Sequence, residues 1–258
     1  MRSATASAGV PGPARTRDLE HAHSLPLAVA GLGYRVDGRE LLVGISFVVQ
    51  AGSFNIILGP NGAGKSLLLR LCHGLLRPHA GAVTWGGMSA EAARPWHAMV
   101  FQRPVMLRRP VAANVTYALR LRGLPRAQCR QRVREALEAT NLLQLARAPA
   151  TRLSGGEQQR LAIARAWALQ PEVLLLDEPC ANLDPRSTLD IETLLRALHA
   201  RGTTVVMTTH DLAQARRLGE RVLFLNRGRL IEDAGAEEFF AQPQSPDARA
   251  FLDGKLLA

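Results

Sequence analysis

Two rhythms of apolar and polar positions alternate along this chain. Short apolar or β-branched runs bounded by turn residues occur at Leu25–Val29, Ile45–Val49, Phe54–Leu58, Ala82–Gly87, Met99–Phe101, Val173–Leu176 and Thr203–Thr209. Each predicts a strand. Val173–Leu176 is continuously apolar, as expected of a strand covered on both faces. Asp37-Gly38 is a hairpin signal between two short strands, and Asn226-Arg227-Gly228 joins Val222–Leu225 to Arg229–Ile231 in the same way. Helical spacing takes over at Val111–Arg122, Arg126–Ala139, Gln158–Leu169, Ile191–Arg201 and Leu212–Leu218. In the second of these, Val133, Ala136 and Leu137 share one face and arginines the other. Residues Glu237–Ala258 predict one or two short helices.

The order of these elements implies an α/β architecture. Strands and turns before Phe54 predict an antiparallel β layer. Strands alternating with helices after it predict a parallel core. The wholly helical stretch from Arg103 to about Arg152 predicts an inserted helical lobe. A chain of 258 residues accommodates one large α/β domain with such a lobe. Residues 1–24, rich in Ala, Gly, Pro and Ser, read as a disordered extension ahead of a domain spanning 25–258. They contain no apolar core of a signal peptide, and no stretch approaches the roughly 18–20 apolar residues of a membrane span. Work at a membrane is therefore expected through a partner.

Composition narrows the function classes. The net charge of +10 points toward an acidic partner or an anionic surface. The arginines are scattered rather than run together, so a dedicated nucleic-acid patch is not expected. Cys72, Cys129 and Cys180 are an odd number without CxxC spacing, which indicates neither a disulfide framework nor a zinc site and fits a reducing cytosol.

The candidate chemistry begins at Gly59-Pro60-Asn61-Gly62-Ala63-Gly64-Lys65-Ser66. It lies between the Phe54–Leu58 strand and a helix-forming run, Leu67–Leu71, which gives strand, glycine-rich turn and helix with the spacing of a phosphate-binding loop. Glycines let successive backbone N–H groups turn inward on phosphate oxygens, and the helix N-terminus adds partial positive charge. Lys65 is expected to reach the β- and γ-phosphates of a bound nucleotide, and Ser66 to ligate Mg²⁺. Only Lys65 and Lys255 are lysines among the thirty-two basic residues. The compact ammonium is thus retained where a planar guanidinium fits poorly.

Two further motifs extend the site. Asp177 and Glu178 end the buried Val173–Leu176 strand, where α/β sheets place ligands. Asp177 is expected to hold Mg²⁺ through water, and Glu178 to act as the base for the attacking water. Ser154, Gly155 and Gly156, followed by Glu157 and Gln158, open the Gln158–Leu169 helix and make a second anion-binding helix start. A second such start is explained if it serves a nucleotide held by another copy of the chain.

With these motifs in place, the chain resembles the nucleotide-binding subunits of ATP-binding cassette (ABC) transporters over nearly all of residues 27–240. Gly59–Ser66 resembles the Walker A loop, Gln102 the Q-loop glutamine, Ser154–Gln158 the signature motif, and Asp177 with Glu178 the Walker B pair. Ala181-Asn182-Leu183-Asp184 resembles the D-loop, His210 the switch histidine, and Tyr34 the adenine-stacking aromatic. The resemblance implies a RecA-like parallel core, an antiparallel β lobe and a helical subdomain over about 103–160. It implies a head-to-tail homodimer with two ATP molecules sandwiched, each between one subunit's Walker A loop and the other's Ser154-Gly155-Gly156. His210 would contact the γ-phosphate and hold Glu178 in line. Gln102 would sense Mg²⁺ and γ-phosphate and relay closure to transmembrane permease subunits. A periplasmic or lipid-anchored binding protein would deliver cargo, and the chain would sit on the cytoplasmic face of the membrane. No nucleic acid is expected, because soluble relatives acting on nucleic acid or ribosomes carry tandem cassettes or coiled-coil insertions.

Two positions depart from the family pattern. Leu67 stands where a second hydroxyl residue contacts the α-phosphate, and Cys180 where Thr is common after Walker B. The first costs about 1 kcal/mol if one phosphate hydrogen bond is lost. The stretch Gln102–Val115, continuing through Tyr117–Gly123, is most similar to tungstate importers, with phosphate and polar amino-acid importers as close neighbours.

Overall fold

A computed structural model describes residues 24–255. Ten strands and nine α-helices make up the described chain. They are β1 (Leu27–Val36), β2 (Arg39–Val49), β3 (Phe54–Leu58), α1 (Lys65–Cys72), β4 (Ala80–Trp85), β5 (Met88–Ser89), α2 (Ala90–Ala93), β6 (His97–Val100), α3 (Val111–Leu121) and α4 (Arg126–Ala139). There follow α5 (Gly155–Trp167), β7 (Val173–Asp177), α6 (Pro185–His199), β8 (Thr204–Thr209), α7 (Leu212–Leu218), β9 (Arg221–Asn226), β10 (Arg229–Gly235), α8 (Ala236–Ala241) and α9 (Pro246–Leu252). The expected extension over 1–24 lies outside the described residues except at Ser24. That residue is buried, and its N–H and hydroxyl both donate to Glu172 Oε2 at 2.7 Å.

The strands form two sheets. One has the order β2-β1-β4-β5 and is antiparallel; the other has the order β10-β9-β3-β8-β7-β6, in which β9, β3, β8, β7 and β6 are parallel. The antiparallel layer and parallel core of the sequence reading are both present. Every residue of β3 and β7 is buried, and alternation decides which side each serves. Phe54, Ile56 and Leu58 face one core with Leu174 and Leu176, while Ile57 faces the other with Val173 and Leu175. The second core also receives Leu68, Leu69, Leu71 and Cys72 of α1, which locks the helix after the glycine-rich loop between the sheets. A fully buried leucine contributes about 1.5–3 kcal/mol, so α1 is anchored by its own burial rather than by its short hydrogen-bond ladder.

A third core, built on Val111, Val115, Leu119, Val133, Ala136 and Leu137, belongs to the helical lobe. Helix α5 joins the lobe to the parallel core. Its Leu161 and Ala164 enter the lobe's core, and Ala162, Ile163 and Ala166 enter the first. The lobe also gathers charge. Residues 103–152 hold eleven arginines and two glutamates, hence nine of the ten net positive charges. Nine of those arginines are exposed. The net positive charge, though not most of the arginines, is therefore concentrated in one lobe.

Several element boundaries differ from expectation, β1 and β2 running longer than the short strands expected, and three of them lie next to expected site residues. The strand expected over Met99–Phe101 is β6, shifted to His97–Val100, and Phe101 is 41% exposed. Helix α6 starts at Pro185 rather than Ile191, because Asp184 accepts from the Ser187 N–H at 3.0 Å and Pro185 fits the first turn without a donor. Helix α5 likewise starts at Gly155, three residues before the apolar spacing becomes visible.

Candidate active site

Parallel strands that lie side by side deliver their C-terminal ends to one edge of the sheet. The loop after β3 carries Gly59–Ser66, β6 leads to Gln102, β7 ends in Asp177 and Glu178, and β8 leads to His210. Residues distant in sequence thus line one cavity of about 890 Å³, among them Asn61, Gly62, Lys65, Ser66, Gln102, Glu178, Ala181, Asn182, Leu183 and His210.

The loop's backbone needs its glycines. At Gly59 (φ 156°) a Cβ would lie 2.1 Å from Leu225 O, and at Gly64 (φ 100°) 2.6 Å from Leu42 Cδ2. At Gly62 (φ 81°), by contrast, nothing lies within 4 Å, so that face of the loop is open to a ligand. Lys65 begins α1 and is 4% exposed. Its Nζ donates to Gly59 O at 2.9 Å and Pro60 O at 3.1 Å, and lies 3.2 Å from Glu178 Oε1.

Asp177 stands in register with Thr208 on the neighbouring strand. Its Oδ1 accepts from Ser66 Oγ at 2.6 Å and Thr208 Oγ1 at 2.9 Å. Thr208 Oγ1 also accepts the Glu178 N–H at 2.9 Å. Glu178 adopts φ 44°, a conformation disfavoured for residues with a Cβ. Its Oε2 accepts from His210 Nδ1 at 3.2 Å, which places the ring proton on Nδ1, and more weakly from Gln102 Nε2 at 3.5 Å. Gln102, expected beside the metal, donates through Nε2 to the Glu178 carboxylate that ends β7.

The residues fit a magnesium nucleotide. A serine hydroxyl and a carboxylate in contact are hard oxygen donors of the type Mg²⁺ takes. Among the described residues no group of three or more His, Cys, Asp or Glu side chains converges as a metal cage. That suits an ion held by one or two protein oxygens plus substrate phosphates. Leu67 lines the cavity and also packs, partly buried, against the second core. Cys180 lines the cavity, and burial pushes its thiol up to about 11 against the Gln214 hydrogen bond that lowers it. It is a neutral thiol at physiological pH, not a nucleophile.

The remaining expected residues lie elsewhere. Ser154 caps α5 in a capping box, its hydroxyl accepting from the Glu157 N–H while Glu157 Oε2 accepts from the Ser154 N–H at 2.8 Å. Neither Ser154–Gly156 nor Gln158 lines the cavity that Lys65 lines. Asp184 caps α6, whereas Ala181, Asn182 (φ 61°) and Leu183, in the loop ahead of it, do line the cavity. Tyr34 sits on β1 opposite Leu42, packed against the second core and outside the cavity lining; Leu41 lines the cavity in its neighbourhood. Thr208 was not apparent as a site residue in the sequence. The only signal is a pair of hydroxyl residues, Thr208 and Thr209, after the apolar Val205–Met207 and just before His210.

A family model described as ABC transporter matches residues 42–181, from within β2 through the glycine-rich loop to Asp177, Glu178 and Ala181. The chain belongs to the ABC transporter family. The phosphate import ATP-binding protein PstB 2 of Natronomonas pharaonis is 38% identical over 248 residues, 90% of this chain and 87% of that protein. The L-cystine transport system ATP-binding protein TcyN of Escherichia coli is 35% identical over 246 residues, covering 90% and 98%. Among solved structures, cbiO1 of Clostridium perfringens, part of the ABC transporter complex cbiONQ, superposes with a TM-score of 0.78 at 32% identity, covering 84% of this chain and 90% of that one. The two-sheet architecture with its helical lobe is the ABC ATPase fold. As an ABC ATP-binding subunit the chain is an ATPase of the kind that powers transport. Among the described residues no helix is long and apolar enough to cross a membrane.

Proposed function

We propose that the chain is the ATP-hydrolysing subunit of an ABC importer, working as a head-to-tail homodimer on the cytoplasmic face of a membrane, with an oxyanion, tungstate first, as cargo. The observation that carries the hydrolytic reading is Glu178, whose carboxylate is approached at once by Lys65, His210 and Gln102 at the mouth of the glycine-rich loop. Lys65 and the loop's N–H groups bind the phosphates of ATP. Ser66 and Asp177 hold Mg²⁺, which when bound neutralises phosphate charge. Glu178 takes the proton of the attacking water, and His210 holds that carboxylate in line. Tyr34 is assigned to the adenine. Ala181, Asn182, Leu183 and Asp184 are assigned to the subunit boundary.

Two features support the dimer and the membrane partner. Ser154 and Gly155 are exposed at a helix N-terminus that has no role in the chain's own cavity, which suits closure over the partner's nucleotide. On the helical lobe, a groove of about 600 Å³ has Ala112, Ala113 and Leu121 in its lining beside Arg109, Arg120 and Arg147, and no acidic residue. Such a surface fits an amphipathic acidic segment of a permease. The cargo reading draws on the Gln102–Val115 resemblance and on the phosphate-import relative. The cystine-transport relative favours polar amino-acid import as the second reading. The test is ATP hydrolysis in vesicles holding the chain, its permease and its binding protein. Tungstate giving the largest stimulation supports the proposal. Phosphate or an amino acid giving a larger one overturns the tungstate assignment.

A further inference from the structure

We infer that Thr208 is a positioning residue for ATP hydrolysis, a buried hydroxyl that sets the Asp177 carboxylate and the Glu178 backbone with a single oxygen. The inference rests on the proposed roles of Asp177 and Glu178. Thr208 is fully buried on β8, in direct register with Asp177 on β7. Its hydroxyl hydrogen goes to Asp177 Oδ1 at 2.9 Å, and its lone pair takes the Glu178 N–H at 2.9 Å. One proton and one lone pair of the hydroxyl are thereby committed, each to one member of the acidic pair.

The arrangement does two things at once. Ser66 and Thr208 both donate to the same oxygen of Asp177, so the carboxylate is pinned from the loop side and from the sheet side and its plane cannot turn freely. On the other side, the Glu178 N–H is anchored where its backbone enters φ 44°. That turn brings the Glu178 carboxylate to Lys65 at 3.2 Å and His210 at 3.2 Å. Without the hydroxyl, a backbone donor beneath the cavity loses its acceptor and one clamp on Asp177 disappears. Neither effect removes a group that touches ATP. Both loosen the groups that do, which is the way outer residues tune a metal-phosphate site.

The experiment compares T208V, T208S and T208A with wild type for kcat, KM for ATP, Mg²⁺ dependence and thermal stability. Valine keeps the shape and removes the hydroxyl. It is expected to lower kcat by about 10–100-fold with KM changed less than about threefold, and to raise the Mg²⁺ concentration for half-maximal rate. Serine keeps the hydroxyl and is expected to retain kcat to within about threefold. A T208V enzyme with wild-type kcat and Mg²⁺ dependence overturns the inference, even if its thermal midpoint falls. If valine prevents folding, T208S and T208A decide, because they differ only in the hydroxyl. Equal kcat in that pair also overturns it. The companion variant E178Q separates the two levels. Undiminished hydrolysis in E178Q defeats the underlying site reading, whereas an inactive E178Q beside a fully active T208V defeats the Thr208 inference alone.

Discussion

Lys65 has three N–H donors, and Glu178 receives the third. The other two go to Gly59 O and Pro60 O, and the Lys65–Glu178 contact measures 3.2 Å between side chains 4% and 11% exposed. A phosphate group reaches the ammonium by taking the place of one of these acceptors, and of the three only Glu178 presents a side chain rather than backbone. Under the proposed roles of Lys65 and Glu178, a phosphate that engages this lysine displaces the Glu178 carboxylate from it.

Replacing Glu178 with glutamine keeps the shape and removes the charge that competes for Lys65. ATP is expected to bind E178Q more tightly than wild type, while turnover falls by about 10²–10⁴. Equilibrium binding of a fluorescent nucleotide and single-turnover phosphate release check the two halves separately. Weaker binding by E178Q would contradict the competition between carboxylate and phosphate.

Gly156 and Gly155 answer different questions. A Cβ at Gly156 would lie 2.5 Å from Ser187 Oγ and 2.8 Å from Ser187 Cβ, whereas at Gly155 the nearest atom is Leu183 Cδ2 at 3.6 Å. G156A must separate α5 from α6 and is expected to cost about 1–3 kcal/mol in chemical denaturation. G155A is expected to leave stability unchanged within about 0.5 kcal/mol yet to lower ATP-dependent dimer formation, measured by sedimentation.

His97 makes the fold sensitive to acid. It is buried against the Trp85 ring, both ring nitrogens lack hydrogen-bond partners among the described residues, and burial, with His73 and Arg122 nearby, lowers its pKa to about 3. A base whose folded pKa is depressed stabilises the fold fully above its unfolded value of 6.5 and loses that contribution as pH falls toward 3. Between pH 6.5 and 5 the loss amounts to about 2 kcal/mol from this residue, at roughly 1.4 kcal/mol per pH unit. Urea unfolding at pH 7 and pH 5 measures it. H97F is expected to flatten the slope, with His73, whose pKa burial also lowers, supplying what remains.

Charge reversal in the lobe groove tests the permease surface. R109E, R120E and R147E together are expected to abolish co-purification with the permease while hydrolysis by the isolated chain stays within about twofold of wild type. The arginines line the groove and not the nucleotide cavity. Wild-type association is expected to weaken with added salt, as screening of exposed charge requires.

Much of the site was legible because its parts are short and locally encoded. A strand, a glycine-rich turn and a helix need no distant residue to be recognised, and Gly59–Ser66 appears where expected. Asp177-Glu178 was legible for the same reason, as polar residues ending an apolar run. What the sequence could not supply was adjacency across strands. The order β3-β8-β7-β6 brings Gln102 and His210 to the same carboxylate, and register alone pairs Thr208 with Asp177. Tyr34 is a different case, a partly buried aromatic on β1 whose packing against the second core no local pattern predicted. The helical lobe's charge escaped a whole-chain view because it comes less from runs of arginine than from the near absence of acidic residues over 103–152.

The scarcity of lysine gives this molecule a chemical signature. Lys255 carries a side chain 69% exposed and Lys65 one that is 4% exposed. An amine-directed acylating reagent therefore marks the tail lysine readily and leaves the loop lysine nearly silent. Any labelling of Lys65 reports an opening of the loop itself, read from one peptide against an almost lysine-free background, with Lys255 as the internal standard.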